Sequence, residues 1–322
     1  MQSDYMAIFK DIFYDVQQDE EMNEVIQESC ELIGSVVVKY GEVLNEMKYI
    51  KPEDDGVVNL VIMLFVRKIM EHLDAINILV EKSSFSQAKI ILRTLLETIV
   101  SLKFILKEDT QKRAAAYYLY HHYEEIDRMK NFDEKTKAGQ MYKDMMGNEK
   151  FKRVAERCQQ KKSAFERLVQ ANSVFTEIEN LRKKKLAQKK AREPKKKPYV
   201  SWYEICSNIY SFKGLMQNLG WEKFYESLYG GMSMEVHAYN ATIEMIPDAD
   251  GLHLKALRNP LDGFNIVSMT GTFAISALED VYVYLEDGEE EKVEFAEYYG
   301  EYQQKCKMLE KQYMELLGES EF

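Results

Sequence analysis

Only five prolines and fifteen glycines interrupt a chain of 322 residues. An all-β fold needs a breaker at nearly every chain reversal, so this scarcity leaves room for little besides long helices. Apolar residues make up 46% and charged residues 30%, the balance of a chain that folds around a core rather than staying disordered. At this length one or two domains are expected. The expectation is an all-α protein of about ten helices: a helical bundle with a projecting basic helical insertion and an acidic C-terminal helix.

Apolar spacing sets the provisional boundaries. Residues 1–50 read as N-terminal amphipathic helices, closed by a loop from Lys51 to Gly56. A helix follows from Val57 to about Glu81. Ser84 with Gln87 three residues later forms a capping-box pattern at the head of the next one. That helix runs through Ala88, Ile91, Leu92, Leu95, Leu96, Ile99, Leu102 and Leu106. A tyrosine-rich helix then spans about Thr110 to Met129. These elements, 57–130 together with 200–285, are assigned to the core bundle, 131–198 to the basic insertion and 286–322 to the acidic helix. Gly230-Gly231 reads as a turn, and a helix starting near Ser233 is expected to end at Pro247, with a loop running on to Gly263.

Charge is unevenly divided. Residues 131–198 hold 20 Lys and Arg against 9 Asp and Glu, although the whole chain carries −11. The stretch from Glu279 to Phe322 is the opposite, with 14 acidic and 4 basic residues. Basic density peaks at Arg182, Lys183, Lys184, Lys185, Lys189, Lys190, Arg192, Lys195, Lys196 and Lys197, read as a helical hairpin ending in a mobile loop broken by Pro194 and Pro198. Such a run either neutralises nucleic-acid phosphates or clamps onto an acidic protein surface, the chain's own tail included. Aromatic residues are absent from Leu181 to Pro198, so base stacking is not expected within it.

Several chemistries are missing. The sequence has no GxGxxG or GxxxxGK[ST] phosphate cradle, no HExxH and no Glu-x-x-His pair of the kind a di-iron bundle needs. Cys30, Cys158, Cys206 and Cys306 are scattered, without a CxxC. No cofactor and no metal are therefore expected. The first residues lack the basic and apolar regions of a signal peptide. The apolar stretches Val57–Val80 and Phe264–Leu285 are interrupted by charges, and both read as core helices rather than membrane spans. A cytoplasmic protein without membrane contact is the expectation.

Two patterns carry candidate chemistry. Arg67 and His72 fit the Arg-x4–6-His spacing of HEPN-type ribonucleases, metal-independent helical enzymes in which histidine moves a proton and arginine stabilises phosphate charge. Ten arginines and five histidines at three allowed spacings produce roughly 0.5 such matches by chance, so these two are secondary candidates. The second pattern is Arg93 and Glu97, one turn apart in a stripe of Lys89, Arg93, Glu97 and Ser101. Taken alone, such a stripe is a solvated face with small ion-pair terms. His121 and His122 lie among tyrosines, and His121 with Glu125 offers at most two metal donors.

The run Ala88-Lys89-Ile90-Ile91-Leu92-Arg93-Thr94-Leu95-Leu96-Glu97 resembles the hallmark helix of a family of uncharacterised bacterial all-helical proteins. That family carries an LRSLLE-type segment and, later, a Y…LS…VH segment, often just after a Trp-Tyr. The matching positions here are Trp202-Tyr203, Tyr225, Tyr229, Ser233, Val236 and His237. The similarity spans about 57–130 and 200–285, and the family is HEPN-like in broad pattern. The resemblance implies that Arg93, Glu97 and His237 meet inside the bundle, with Ser233 one turn before His237. Ala238 stands where a glycine is common. Three functions follow as expectations: a metal-independent endoribonuclease or toxin-like phage-defence protein using Arg93, Glu97, His237 and Ser233; a non-catalytic module binding a protein partner, a second copy of itself or nucleic acid; and a sensor of a small anionic ligand. RNA is the partner expected first.

Overall fold

The computed structural model describes residues 19–47, 56–232, 245–248, 251–254, 256–260, 263–285, 289–316 and 318. Twelve helices and one short hairpin appear among them. By their contacts the residues fall into two compact units, Met1–Met47, Met63–Leu106 and Leu215–Phe322 in one, Lys48–Ile62 and Lys107–Gly214 in the other.

The first unit is built on long apolar helices. α1 (Glu20–Glu46) starts where the Asp19 carboxylate accepts from the Met22 amide at 3.0 Å, with Glu20 and Glu21 favouring the positive end of the helix dipole. Its buried residues recur every three or four positions, among them Val25, Ile26, Ile33, Val36, Tyr40 and Val43. Most of α2 (Val57–Glu81), from Met63 on, and α3 (Phe85–Lys107) as far as Leu106 follow, and α3 begins directly after Ser84 as the capping pattern predicts. α11 (Gly263–Leu285) and α12 (Glu289–Leu316) both pack on α1 and on each other. Tyr40 ties α1 to α11 by donating to the Ala274 carbonyl at 2.7 Å, and Lys39 joins α1 to Glu294 of α12 at 3.1 Å. Each fully buried leucine or isoleucine contributes about 1.5–3 kcal/mol. α11 is long and apolar enough to cross a membrane, while Ile266, Val267, Ala274, Ile275 and Leu278 are buried within the protein.

The acidic segment forms the C-terminal helix expected of it. Tyr302, Leu309 and Tyr313 of α12 are buried, while Glu294, Glu297, Glu301, Glu310 and Glu315 are exposed. The helix expected to start near Ser233 begins outside the described residues, and around it the described residues differ from the sequence expectation. Pro247 does not end a helix: it sits in β1 (Met245–Asp248), paired antiparallel with β2 (Gly251–Leu254). A two-stranded ribbon has only edges, and an edge tolerates a proline. His253 lies on β2 rather than in a loop. Gly230 is helical, with φ −60° and ψ −47°, and Gly231 continues the helix, so that pair is not a turn.

The second unit contains α4 (Thr110–Met129), a 3-10 turn (Lys130–Phe132), α5 (Lys137–Met146), α6 (Asn148–Ala171), α7 (Ser173–Arg192) and the single-turn α8 (Trp202–Ile205). Asn172 alone separates α6 from α7. Its side-chain oxygen accepts from the amides of Val174 at 2.9 Å and Phe175 at 3.1 Å, a one-residue cap that reverses the chain. Tyr118 stacks on Phe175 at 5.7 Å, and Trp202 meets Tyr117 edge-on at 5.2 Å. The sequence divided α4 and residues 200–214 from the basic insertion, whereas their contacts group all of them together. Tyrosines of α4 face both α7 and α8, which explains the grouping.

Candidate functional site

α3 turns Leu92, Leu95, Leu96 and Ile99 inward, so Arg93 and Glu97 are left together along its partly exposed side. Arg93 Nε donates to Glu97 Oε1 at 3.2 Å. The third member is Tyr229. Its hydroxyl donates to Glu97 Oε1 at 2.7 Å and accepts from Arg93 Nη2 at 2.9 Å. The guanidinium also lies 4.8 Å from the centre of the Tyr229 ring. The Arg93 side chain is 17% exposed and that of Glu97 39%, so the cluster is part-buried yet reachable from solvent.

Tyr229 is positioned by its neighbours in sequence. α9 (Phe212–Asn218) and the short α10 (Glu222–Phe224) lead into a π-helical turn, Tyr225–Tyr229, a widened turn frequent at functional sites. Trp221 and Phe224 both pack on Phe273 of α11, each at 5.5 Å. Lys103 of α3 lies 5.4 Å over the Trp221 ring, and its ammonium donates to the Ser276 carbonyl at 2.8 Å and pairs with Asp280 at 2.8 Å. These contacts hold the segment that delivers Tyr229 to α3. Tyr225 stacks on Tyr229 at 5.2 Å and stiffens the turn.

Electrostatics follow from this geometry. Burial, reinforced by the bond to Glu97 and opposed by Arg93, pushes the Tyr229 phenol up to about 12. Tyr229 therefore stays a neutral donor at physiological pH. Burial works against the charge on Arg93, but Tyr229 and Glu97 outweigh it and raise its pKa further. Among the described residues, the hydrogen bonds of Arg93 run through Nε and Nη2.

Ser233 and His237 lie outside the described residues. Tyr229, Ser233 and His237 recur at intervals of four in the sequence. Arg67 and His72 do not meet. Arg67 is exposed and pairs with Glu71 at 3.0 Å, while His72 is buried, 8% exposed, with no partner for Nε2 among the described residues. Burial and the nearby Lys68 lower the His72 pKa. Glu125 pairs with Lys161, and no three His, Cys, Asp or Glu side chains gather into a metal-holding group among the described residues.

The basic run divides into engaged and exposed charges. Arg182 lies 3.7 Å over the Tyr123 ring, and Lys183 pairs with Glu179 at 3.1 Å. Lys185 donates to the carbonyls of Glu204 and Ser207, and burial lowers its pKa. Lys189 bonds the Glu204 carboxylate and the Tyr199 carbonyl, each at 2.7 Å. Lys190 reaches the Pro194 carbonyl, Lys196 pairs with Glu193 and Lys197 with Asp127. Lys184, Arg192 and Lys195 are exposed and have no partner among the described residues.

Over residues 59–251 the sequence matches the family of unknown function DUF5677. The chain belongs to that family. The match begins two residues into α2 and runs through the basic segment, which the motif resemblance left out; it ends at 251 rather than near 285. Arg93, Glu97 and Tyr229 all lie inside it, as do Ser233 and His237. No curated protein and no solved structure matches the chain.

Proposed function

We propose that this DUF5677 protein is a metal-independent endoribonuclease whose reaction centre is built around Arg93, Glu97 and Tyr229. The observation that carries the reading is the Tyr229 hydroxyl held between a guanidinium and a carboxylate at a solvent-reachable site. A phosphodiester transition state needs a cation for its added negative charge, and the Arg93 guanidinium takes that role. It also needs a base for the attacking 2′-hydroxyl and an acid for the leaving oxygen. Glu97 is the base in this scheme, and His237, the histidine of the motif resemblance, is assigned the part of the acid. Ser233, from the same motif, is assigned a hydrogen bond to the phosphate. The excess of basic charge over 131–198 supports RNA as the substrate.

The test is RNA cleavage in the presence of EDTA by the wild type and by Arg93→Ala, Tyr229→Phe and His237→Ala, each checked for helical content by circular dichroism. The expected result is cleavage by the wild type and a loss of about 100-fold or more in the folded Arg93 and His237 variants. No cleavage by the wild type across single-stranded and structured RNAs would sink the reading.

One observation favours a second reading, a binding module without catalysis. Arg93, Glu97 and Tyr229 also satisfy one another, as a polar lock between helices does. In that case Tyr229→Phe lowers stability and leaves every activity unchanged.

A further inference from the structure

The absence of aromatic residues between Leu181 and Pro198 argued against base stacking, but the fold brings two tyrosines to the end of that run. Tyr199 and Tyr210, 59% and 64% exposed, stand beside the C-terminal turn of α7. With Lys189, Arg192, Lys196 and Lys197 they line a cavity of about 450 Å³, within the size range of small-ligand sites. We propose that this cavity docks single-stranded nucleic acid, with backbone phosphates on Arg192, Lys196 and Lys197 and a base against the rings of Tyr199 and Tyr210.

Three features set this cavity apart from an ordinary solvated charge run. The Tyr199 ring is fixed in place: its hydroxyl shares a 2.5 Å hydrogen bond with Tyr120, whose ring meets it edge-on at 6.4 Å. A fixed ring loses little entropy when a base stacks on it. Lys189 links the two tyrosines, since its ammonium holds the Tyr199 carbonyl and lies 6.0 Å from the Tyr210 ring centre. Finally, the cations are graded. Lys189 is committed to the buried Glu204, Lys196 and Lys197 sit in exposed pairs that a phosphate can displace, and Arg192 has no partner among the described residues. Exposed ion pairs are worth little, so exchanging a carboxylate for a phosphate is cheap.

A duplex hides its base faces, whereas a single strand offers them, and an acidic peptide has charge but no base to stack. Single-stranded nucleic acid therefore uses both halves of the cavity. The inference extends the RNA reading above but does not depend on chemistry at Arg93.

The experiment measures fluorescence anisotropy of the full chain with a short, labelled single strand carrying 2′-O-methyl sugars. Blocking the 2′-hydroxyl prevents cleavage by 2′-hydroxyl attack, so binding is read whether or not the protein is a nuclease. The expected result is salt-sensitive binding, weakened at least about fivefold by Tyr210→Ala with the salt slope unchanged. Arg192→Ala should reduce the log–log salt slope by about 0.7. Both residues are exposed, and circular dichroism confirms that the variants fold. Absence of binding overturns the proposal. So does Tyr210→Ala binding as the wild type does, or competition by duplex or polyglutamate as strong as that by unlabelled single strand. Strong binding without cleavage of unmodified RNA would remove the nuclease reading and leave this site standing.

Discussion

Tyr229 donates its hydroxyl proton to Glu97 while accepting from Arg93, linking two residues of α3 to a π-helical turn 132 positions further along the chain. A phenol is needed for this, because its oxygen both gives and takes a hydrogen bond. Tyr229→Phe keeps the ring, and with it the stacking on Tyr225 and the contact with the Arg93 guanidinium, but breaks both bonds. It should cost about 1–2 kcal/mol in urea denaturation, at and just below the low end of the range for bonds to charged groups because Glu97 is partly exposed. Arg93→Lys should cost a similar amount, since an ammonium cannot span Glu97 and Tyr229 in the fork that Arg93 uses. Combining the two should cost less than the sum of the single changes. Strict additivity would mean that the residues do not act as a unit.

Lys189 faces a different task from the lysines around it. Glu204 is buried, and the Lys189 ammonium at 2.7 Å is its paired cation. Lys189→Ala would leave a carboxylate inside the protein without its hydrogen-bonded counter-charge. Stripping a buried ion of its partner costs about 3–5 kcal/mol, and because Lys189 keeps about a third of its side chain in water the lower end applies. Lys184→Ala, on an exposed position of the same helix, should change stability by less than about 0.5 kcal/mol. Thermal denaturation of the two variants side by side checks this, and equal shifts would refute it.

These lysines also show where sequence reading stops. Periodicity located the long helices, because three- and four-residue apolar spacing is a local property: α3 with its Ser84 start, α4 and α11 all fall where the pattern put them. Arg93 and Glu97 were legible for the same reason, being one turn apart. Tyr229 appeared in the motif but not as their partner, because that contact depends on Trp221 and Phe224 packing on Phe273, which no local pattern encodes. The β1–β2 hairpin was hidden by Pro247, read as a helix stop when it occupies an edge strand. The basic run looked uniform in sequence. Which of its charges are engaged depends on Glu204, Asp127 and Tyr123, supplied by other elements.

His72 makes a pH-dependent contribution whose sign is fixed. Burial, with Lys68 adding to it and Glu71 opposing, holds its pKa below the usual value near 6.5. The folded protein keeps the ring neutral, while the unfolded chain takes up the proton as pH falls through about 6.5. Stability is thus complete above that value and is lost as pH drops toward the depressed folded pKa. His72→Gln removes the titration, so its Tm should fall less than that of the wild type between pH 7.5 and pH 5. His122, also lowered by burial, is present in both proteins and cancels in the comparison. Parallel Tm curves over this range would show that His72 does not contribute.

Gly271 of α11 lies directly against Tyr302 of α12. A Cβ at this position would lie 1.5 Å from the Tyr302 hydroxyl oxygen and 2.3 Å from Cζ, where no real contact exists. Tyr302 is buried and cannot swing into solvent. In an open helix, Gly→Ala stabilises by about 1 kcal/mol through propensity. Here the clash decides the sign, and Gly271→Ala should destabilise by about 1–3 kcal/mol or more, the range for overpacking a filled core. Adding Tyr302→Phe removes the nearest atom but leaves the ring carbon, so the double variant should recover only part of the loss. Chemical denaturation of the three proteins distinguishes the cases. Full recovery would mean that the ring shifts freely once its oxygen is gone, and a stabilised Gly271→Ala would mean that α11 and α12 do not pack this closely at all.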